Sequence, residues 1–172
     1  MPPQGPDQDW VARSRNGDRE AYEQLVVRHY RCVYALCLGM LANTEEAQDL
    51  TQETMLVGFE KIRNLRQDDR FGHWILQIAR NLCIDAIRRR KLFARSLSLF
   101  GPQERNSPQP RTDVAAAIGK LPMELRIPIV MFYLDGREAA AIAERLQISK
   151  SSLYQRMRDA RARLYELLRE DQ

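Results

Sequence analysis

The apolar positions of this chain recur at intervals of three and four, with no sustained alternation of two. The pattern therefore predicts helices throughout and no strands. No proline falls between Asp18 and Lys91. There, Tyr22, Leu25, Val26, Tyr30, Val33, Leu36, Cys37 and Met40 mark the buried side of a helix over about 18–41. A second helix starts at Thr44, read as its N-cap, and continues to about Asn64. Glu45 and Glu46 follow in its first turn, where the helix dipole favours negative charge. A third runs from about Asp69 to Phe93, with Phe71, Trp74, Ile75, Ile78, Leu82 and Ala86 as its core face. The stretch GPQERNSPQPRT, residues 101–112, is rich in turn formers and reads as a linker. Helical spacing resumes from about Asp113 to Leu168. The expected fold is all-α: two small helical domains joined by a flexible linker, the second a helix-turn-helix. The expected boundaries are a disordered lead-in at 1–17, a domain at 18–93, a linker at 94–112 and a second domain at 113–170.

A length of 172 residues suits one domain or two small ones, and a net charge of +4 permits a polyanionic partner without requiring one. Three cysteines, Cys32, Cys37 and Cys83, form no disulfide framework and fit a reducing compartment. MPPQGPDQDW lacks the charged start and apolar core of a signal peptide, and no apolar run approaches the ~20 residues of a membrane span. A cytoplasmic protein without direct membrane insertion is expected.

Charge is distributed more tellingly than it is summed. Residues 45–60 hold five acids and no Lys or Arg. Asp49, Glu53, Leu56 and Glu60 fall on one helical stripe with Gln52 beside it, while Ala47, Leu50, Thr54 and Val57 face the core. An acidic face is ordinarily a solvated one. A large apolar side chain within it instead fits a docking surface with a small dry centre, for a basic, partly apolar partner.

The next helix is basic. Between Lys61 and Lys91 nine cations stand against Asp68, Asp69 and Asp85. His73, Gln77, Arg80, Ile84 and Arg88 lie opposite the core face, with Asn81 on its rim. Cations in a last turn complement the helix dipole, which accounts for one or two of Arg88, Arg89, Arg90 and Lys91. The whole tract together with Arg80 reads better as phosphate contact. Asn81 can pair with a base edge, and an exposed aromatic can stack on an unpaired base. Trp74 is a core residue by its spacing before it is a stacking one.

In the second domain, Ala140, Ile142, Ala143 and Leu146 make a short helix and Gln147–Ser149 a turn. Ser149 can cap a helix that buries Leu153, Met157, Ala160, Leu164 and Leu167. A recognition helix reads bases from its first turns and grips phosphates with its flanks. Ser151, Ser152, Tyr154 and Gln155 are placed for base edges, and Arg156, Arg158 and Arg161 for phosphates or guanine. A plain helical hairpin with solvated arginines is the bland alternative.

Four stretches in this order, AYEQLVVRHYRCVYALCLGML, EEAQDLTQETML, FGHWILQIARNLCIDAIRRRK and LPMELRIPIVMFYLDG with the helix-turn-helix after it, resemble bacterial sigma factors of the extracytoplasmic-function group over about residues 18–168. The resemblance implies a role for each surface. Asp49, Gln52, Glu53 and Leu56, with Glu60 on the same stripe, match the part that docks on the clamp helices of the largest subunit of core RNA polymerase. Phe71, His73, Trp74, Arg80, Asn81, Arg88, Arg89, Arg90 and Lys91 match the part that opens and reads the −10 promoter element. The loop at about 64–72 matches a pocket for a flipped-out base. The second domain matches the reader of the −35 element, which also meets the flap of the second-largest subunit. The family is commonly held inactive by an anti-sigma protein. Gln147 stands where the family often has a turn glycine, and Asp159 where it often has Arg. The linker carries Arg95, Arg105 and Arg111 against Glu104, where the family tends to be acidic.

Three other classes fit these residues less well. An autonomous helix-turn-helix regulator needs a dimer interface to read two half-sites, and no spare long apolar helix supplies one. A sigma mimic that only sequesters an anti-sigma protein has no need of the Arg88–Lys91 tract. An enzyme would show a phosphate loop or nucleophile motif, and none is visible. His29, Cys32 and Cys37 miss a tetrahedral set on one helix, so neither metal nor cofactor is expected.

Overall fold

A computed structural model describes residues 6–65, 70–97, 113–136 and 138–170, without the side chains of 6, 95–97, 113 and 170. The helices are α1 (Pro6–Arg15), α2 (Arg19–Leu41), α3 (Thr44–Lys61), α4 (Phe71–Leu97), α5 (Asp113–Lys120), α6 (Met123–Asp135), α7 (Ala139–Leu146) and α8 (Lys150–Glu170). A short 3-10 turn at Ile62–Asn64 follows α3. The described residues contain no strand.

The lead-in departs from expectation. Residues 6–15, part of the lead-in read as disordered from Pro2, Pro3, Gly5 and Pro6, form α1. Pro6 suits a first helical position, Asp7 and Asp9 lie in the first turn, and Arg13 and Arg15 lie in the last. Val11 and Ser14 are buried, and Trp10 packs against the core. Asp7 anchors the helix: its carboxylate lies 3.2 Å from Arg28 Nε and 3.0 Å from His29 Nε2 on α2. Burial raises the Asp7 pKa, but the hydrogen bond from His29 and the charges of His29, Arg28 and Arg145 outweigh it and hold the carboxyl below 3.8. A carboxylate depressed in the folded state stabilises fully above its unfolded pKa, and that contribution is lost as pH falls through the folded value. Asp7→Asn should therefore lower stability by about 1–3 kcal/mol at pH 7. The difference from wild type should shrink in melts below pH 3.8. A pH-independent difference would show that the carboxylate charge is not the anchor.

Asp18 caps α2, accepting from Ala21 N–H at 3.1 Å while its other oxygen takes Arg13 Nε at 2.9 Å. Of the predicted face, Val26 and Tyr30 are only half-buried. In compensation, Ala21, His29, Cys32, Ala35, Gly39 and Leu41 are buried too, because α1, α3, α4 and α6 surround this helix. It closes on Ala42 at φ +52°, with the Ala42 N–H donating to Leu38 O. A left-handed C-terminal residue is usually glycine, since an L side chain is strained there. Ala42→Gly should accordingly stabilise the protein by about 1 kcal/mol, read as a raised urea midpoint. A lowered midpoint would mean that the Ala42 methyl group contributes packing of greater value.

The N-cap of α3 is Asn43, not Thr44. Asn43 is extended, its side-chain oxygen accepts Glu46 N–H at 3.0 Å, and Thr44 is already the first helical residue. Inside, Thr51 and Thr54 satisfy their hydroxyls on the Ala47 and Leu50 carbonyls at 2.6 Å each. Tyr22 donates across to Met55 O at 2.6 Å.

On α4 the buried seam is Phe71, Ile75, Leu76, Ala79 and Cys83, so the predicted face is rotated by about one position. Trp74, Ile78, Leu82 and Ala86 lie half-buried on its flank. Small residues at the seam let the helices approach closely. A Cβ added at Gly58 of α3 would sit 2.6 Å from both Ile75 Cδ1 and the Tyr22 hydroxyl. The helix also continues past Phe93 to Leu97, into the segment assigned to the linker. Residues 98–112 and the loop positions 66–69 lie outside the described residues.

Helices α5–α8 form the second unit. The α7 helix ends in Gln147 at φ +56°, and Ser149 Oγ accepts Ser152 N–H at 3.1 Å at the head of α8. Leu153, Met157, Ala160 and Leu167 of α8 are buried and Leu164 is half-buried. The α6 helix packs along α2, so both units share one hydrophobic core.

Candidate functional site

Two faces of opposite sign meet on α3 and α4. Asp49, Gln52, Glu53, Leu56 and Glu60 are all exposed, Leu56 at 67%. On α4, Arg80, Asn81, Arg88, Arg89 and Lys91 are exposed. Arg88 lies 3.6 Å from Asp85, a surface pair worth at most ~1 kcal/mol and easily exchanged for another anion. Arg90 differs, since its guanidinium pairs with Glu46 of α3. Arg90 and Arg89 line a shallow groove with Glu46, Asp49, Leu50 and Ala86 where the acidic and basic helices join. Arg90 thus ties the two faces together, and the freer cations are Arg80, Arg88, Arg89 and Lys91.

At the other end of α4, Phe71 is fully buried. Its ring is edge-on to Tyr22 and His29, with centroids at 6.3 and 5.2 Å, and tilted against Trp74 at 5.8 Å. Phe71 therefore cannot meet a base in this conformation, contrary to its placement among the DNA contacts; it anchors the start of the helix. Trp74 is half-buried against it. His73 Nε2 lies 3.5 Å from Gln77 Nε2 and 3.2 Å from Nε2 of Gln147. Phe71 and His73 begin α4 just after the loop at 66–69.

On α8, Ser151, Tyr154, Gln155, Arg158 and Arg161 are exposed, Tyr154 at 58%, while Ser152 and Arg156 are half-buried. Ser151 Oγ lies 2.9 Å from Ser149 Oγ. The Gln155 amide is held at both ends: its NH2 donates to Asp159 Oδ1 and Oδ2 at 3.0 and 3.1 Å, and its carbonyl accepts from Arg158. Asp159, a departure from the family's usual Arg, here fixes the orientation of a candidate base-reading amide.

The sequence reading missed Arg126, only 9% exposed on α6. Its Nε donates to Gly39 O at 2.7 Å and Nη2 to Met40 O at 3.2 Å, both at the end of α2. Its Nη1 donates to Gly119 O at 2.7 Å and Leu121 O at 3.2 Å. Burial pushes its pKa below the ordinary arginine value. Arg31 donates to Leu134 O at 2.8 Å, and Arg145 Nη1 lies 2.7 Å from Cys32 Sγ. Burial lifts the Cys32 thiol to about 11 despite Arg145 beside it. A lone charge inside LRIPIVMFYL was the available signal for Arg126, and a glycine inside a helix was the signal for Gly39.

His29, Cys32 and Cys37 point into three different surroundings: Asp7, Arg145 and the Cys83–Thr51 pair. Among the described residues no group of three or more His, Cys, Asp or Glu could hold a metal ion, and no helix is long and apolar enough to cross a membrane.

Comparison with known proteins matches the chain to one family. Residues 25–93 match sigma-70 region 2, and residues 111–164 match sigma-70, region 4. The ECF RNA polymerase sigma factor SigM of Mycobacterium tuberculosis is 31% identical over 165 residues, covering 94% of this chain and 84% of SigM. The ECF RNA polymerase sigma factor SigW of Bacillus subtilis is 27% identical over 178 residues, covering 93% and 95%. Among solved structures, CnrH in complex with the cytosolic domain of CnrY aligns with a TM-score of 0.68 at 25% identity, over 98% of this chain and 100% of CnrH. The sigma factor RpoE of Bartonella quintana, in complex with the anti-sigma factor NepR, shares the fold at a TM-score of 0.64 and 19% identity, over 88% and 98%. The family is not an enzyme class. With both sigma regions in order and relatives aligned over nearly its whole length, this chain belongs to the ECF sigma factors, which direct promoter-specific transcription initiation by bacterial RNA polymerase.

Proposed function

We propose that the chain docks on the clamp helices of core RNA polymerase through Asp49, Gln52, Glu53, Leu56 and Glu60 of α3. In this reading residues 18–93 recognise and melt the −10 element, using His73, Trp74, Asn81 and the exposed cations Arg80, Arg88, Arg89 and Lys91 of α4. Residues 113–170 bind the −35 element through the first turns of α8, near the polymerase flap. The observation that carries it is the uncovered Leu56 in an acidic stripe, one helix away from an uncovered basic tract. A partly apolar acidic face suits a protein partner, and a basic face suits phosphates. One domain therefore offers two surfaces of different chemistry to two partners.

The same reading places the protein in the cytoplasm, where polymerase is. It also includes an anti-sigma partner, supported by the anti-sigma factor NepR bound to the structurally similar RpoE. No metal or cofactor enters it. The test is titration of the full chain into bacterial core polymerase. Saturable, stoichiometric binding at nanomolar concentration is expected. A chain that shows no binding to core at micromolar concentration overturns the reading.

A further inference from the structure

We propose that Asp159 sets the −35 specificity of this chain by positioning Gln155, so that the pair reads one adenine and refuses guanine in its place. The proposal rests on the sigma reading above. The first turns of α8 carry Lys150, Arg156, Arg158 and Arg161, and Asp159 is the only acid between Lys150 and Arg161. A carboxylate beside the phosphates of a bound duplex weakens the attraction that those cations supply. Asp159 and Gln155 are both exposed, on the side of α8 away from the buried Leu153 and Met157. The carboxylate therefore lies outside the core, and its contact is with the amide.

That contact fixes which way the amide faces. Gln155 Nε2 donates to Asp159 Oδ1 at 3.0 Å and to Oδ2 at 3.1 Å, while Gln155 Oε1 accepts from Arg158 Nη2. A carboxylate only accepts and a guanidinium only donates. The reverse orientation would set the amide carbonyl against the carboxylate and the NH2 group against the guanidinium, so it is excluded. A glutamine without such neighbours can turn its amide either way, and so suits either purine. Gln155 has lost that choice. The two oxygens of one carboxylate lie close together and share one N–H, which leaves the other N–H and one carbonyl lone pair for a base. One donor beside one acceptor is the complement of adenine N7 and its N6 amino group in the major groove. Guanine instead presents two acceptors, N7 and O6, which repel the amide oxygen and the Asp159 carboxylate alike. Asp159 is thus a positioning residue that also excludes the wrong base.

The test uses holoenzyme made from core polymerase and the full chain, transcribing a pool of promoters randomised across the −35 region. Sequencing the templates that yield transcripts gives the base preference at each position. The wild-type chain should prefer adenine over guanine at one position by about tenfold, as a bidentate contact does. Gln155→Ala and Asp159→Ala should each abolish the preference at that same position. The double variant should lose nothing further, as two residues acting as one unit require. Asp159→Asn keeps an acceptor for the amide and should retain most of the preference, a rescue that a merely structural role would not give. Both side chains are exposed, so thermal melts of the variants should overlay that of wild type. An Asp159→Ala chain with the wild-type preference overturns the proposal. So does one that alters a position Gln155→Ala leaves alone, because the carboxylate would then read a base of its own. A wild-type preference for guanine at the Gln155 position overturns it too. Each of these results leaves promoter-dependent transcription standing, whereas a chain that supports none defeats the sigma reading and the proposal together.

Discussion

Replacing Asp49, Glu53 and Leu56 together with alanine should weaken binding to core RNA polymerase by at least about a hundredfold. Leu56 is the large apolar side chain of the stripe, and truncating a desolvated anchor of that kind costs about 2 kcal/mol. The two carboxylates are exposed, so each contributes less, about 0.5–1 kcal/mol. The sum of roughly 3–4 kcal/mol corresponds to the stated loss at ~1.4 kcal/mol per tenfold. Stability should hardly change, because the buried face of α3 is Ala47, Leu50, Thr51, Thr54, Met55 and Gly58. An affinity within threefold of wild type would remove the stripe as the docking surface, even if the chain binds polymerase by another face.

Reversing charge on the far helix should have the opposite signature. Arg88→Glu, Arg89→Glu and Lys91→Glu together should leave core binding intact and reduce promoter-dependent transcription by more than about a hundredfold. Each lost phosphate contact lowers the salt dependence of DNA binding by about 0.7–0.9 in log–log slope, so the reversal should flatten it by roughly 2–3. Arg90 is left out because its guanidinium is engaged with Glu46, and reversing it would break the joint between α3 and α4. Retained transcription would show that phosphate contact lies elsewhere, or that the tract serves only the fold.

These surfaces were legible in the sequence because they depend on local spacing alone. A stripe at 49, 53, 56 and 60 and a tract at 88–91 stay together whatever the helices pack against. Burial was less legible. Ala79 and Cys83 form the seam of α4 because small side chains allow close approach, whereas a hydrophobicity count favours the bulkier Trp74, Ile78 and Leu82. Phe71 read as a possible base contact because an aromatic begins the helix, yet its ring fills the space among Tyr22, His29 and Trp74. Residues 6–15 read as disordered from composition, and their order comes from a partner, the Asp7 contact with Arg28 and His29. The packing of α6 on α2 was the least visible. Arg126 and Gly39 are 87 residues apart, and no periodicity links them. Each was nonetheless a local anomaly, a charge in an apolar helix and a glycine within a helix, and such anomalies point to contacts that spacing cannot name.

The central claim, that this chain selects promoters for RNA polymerase, is tested most directly by mapping transcript starts from bacterial DNA with core polymerase alone and with core plus the full chain. The account predicts a new set of starts that appear only with the chain and share one sequence element near −10 and a second near −35. Tight binding to core with no new starts would contradict it.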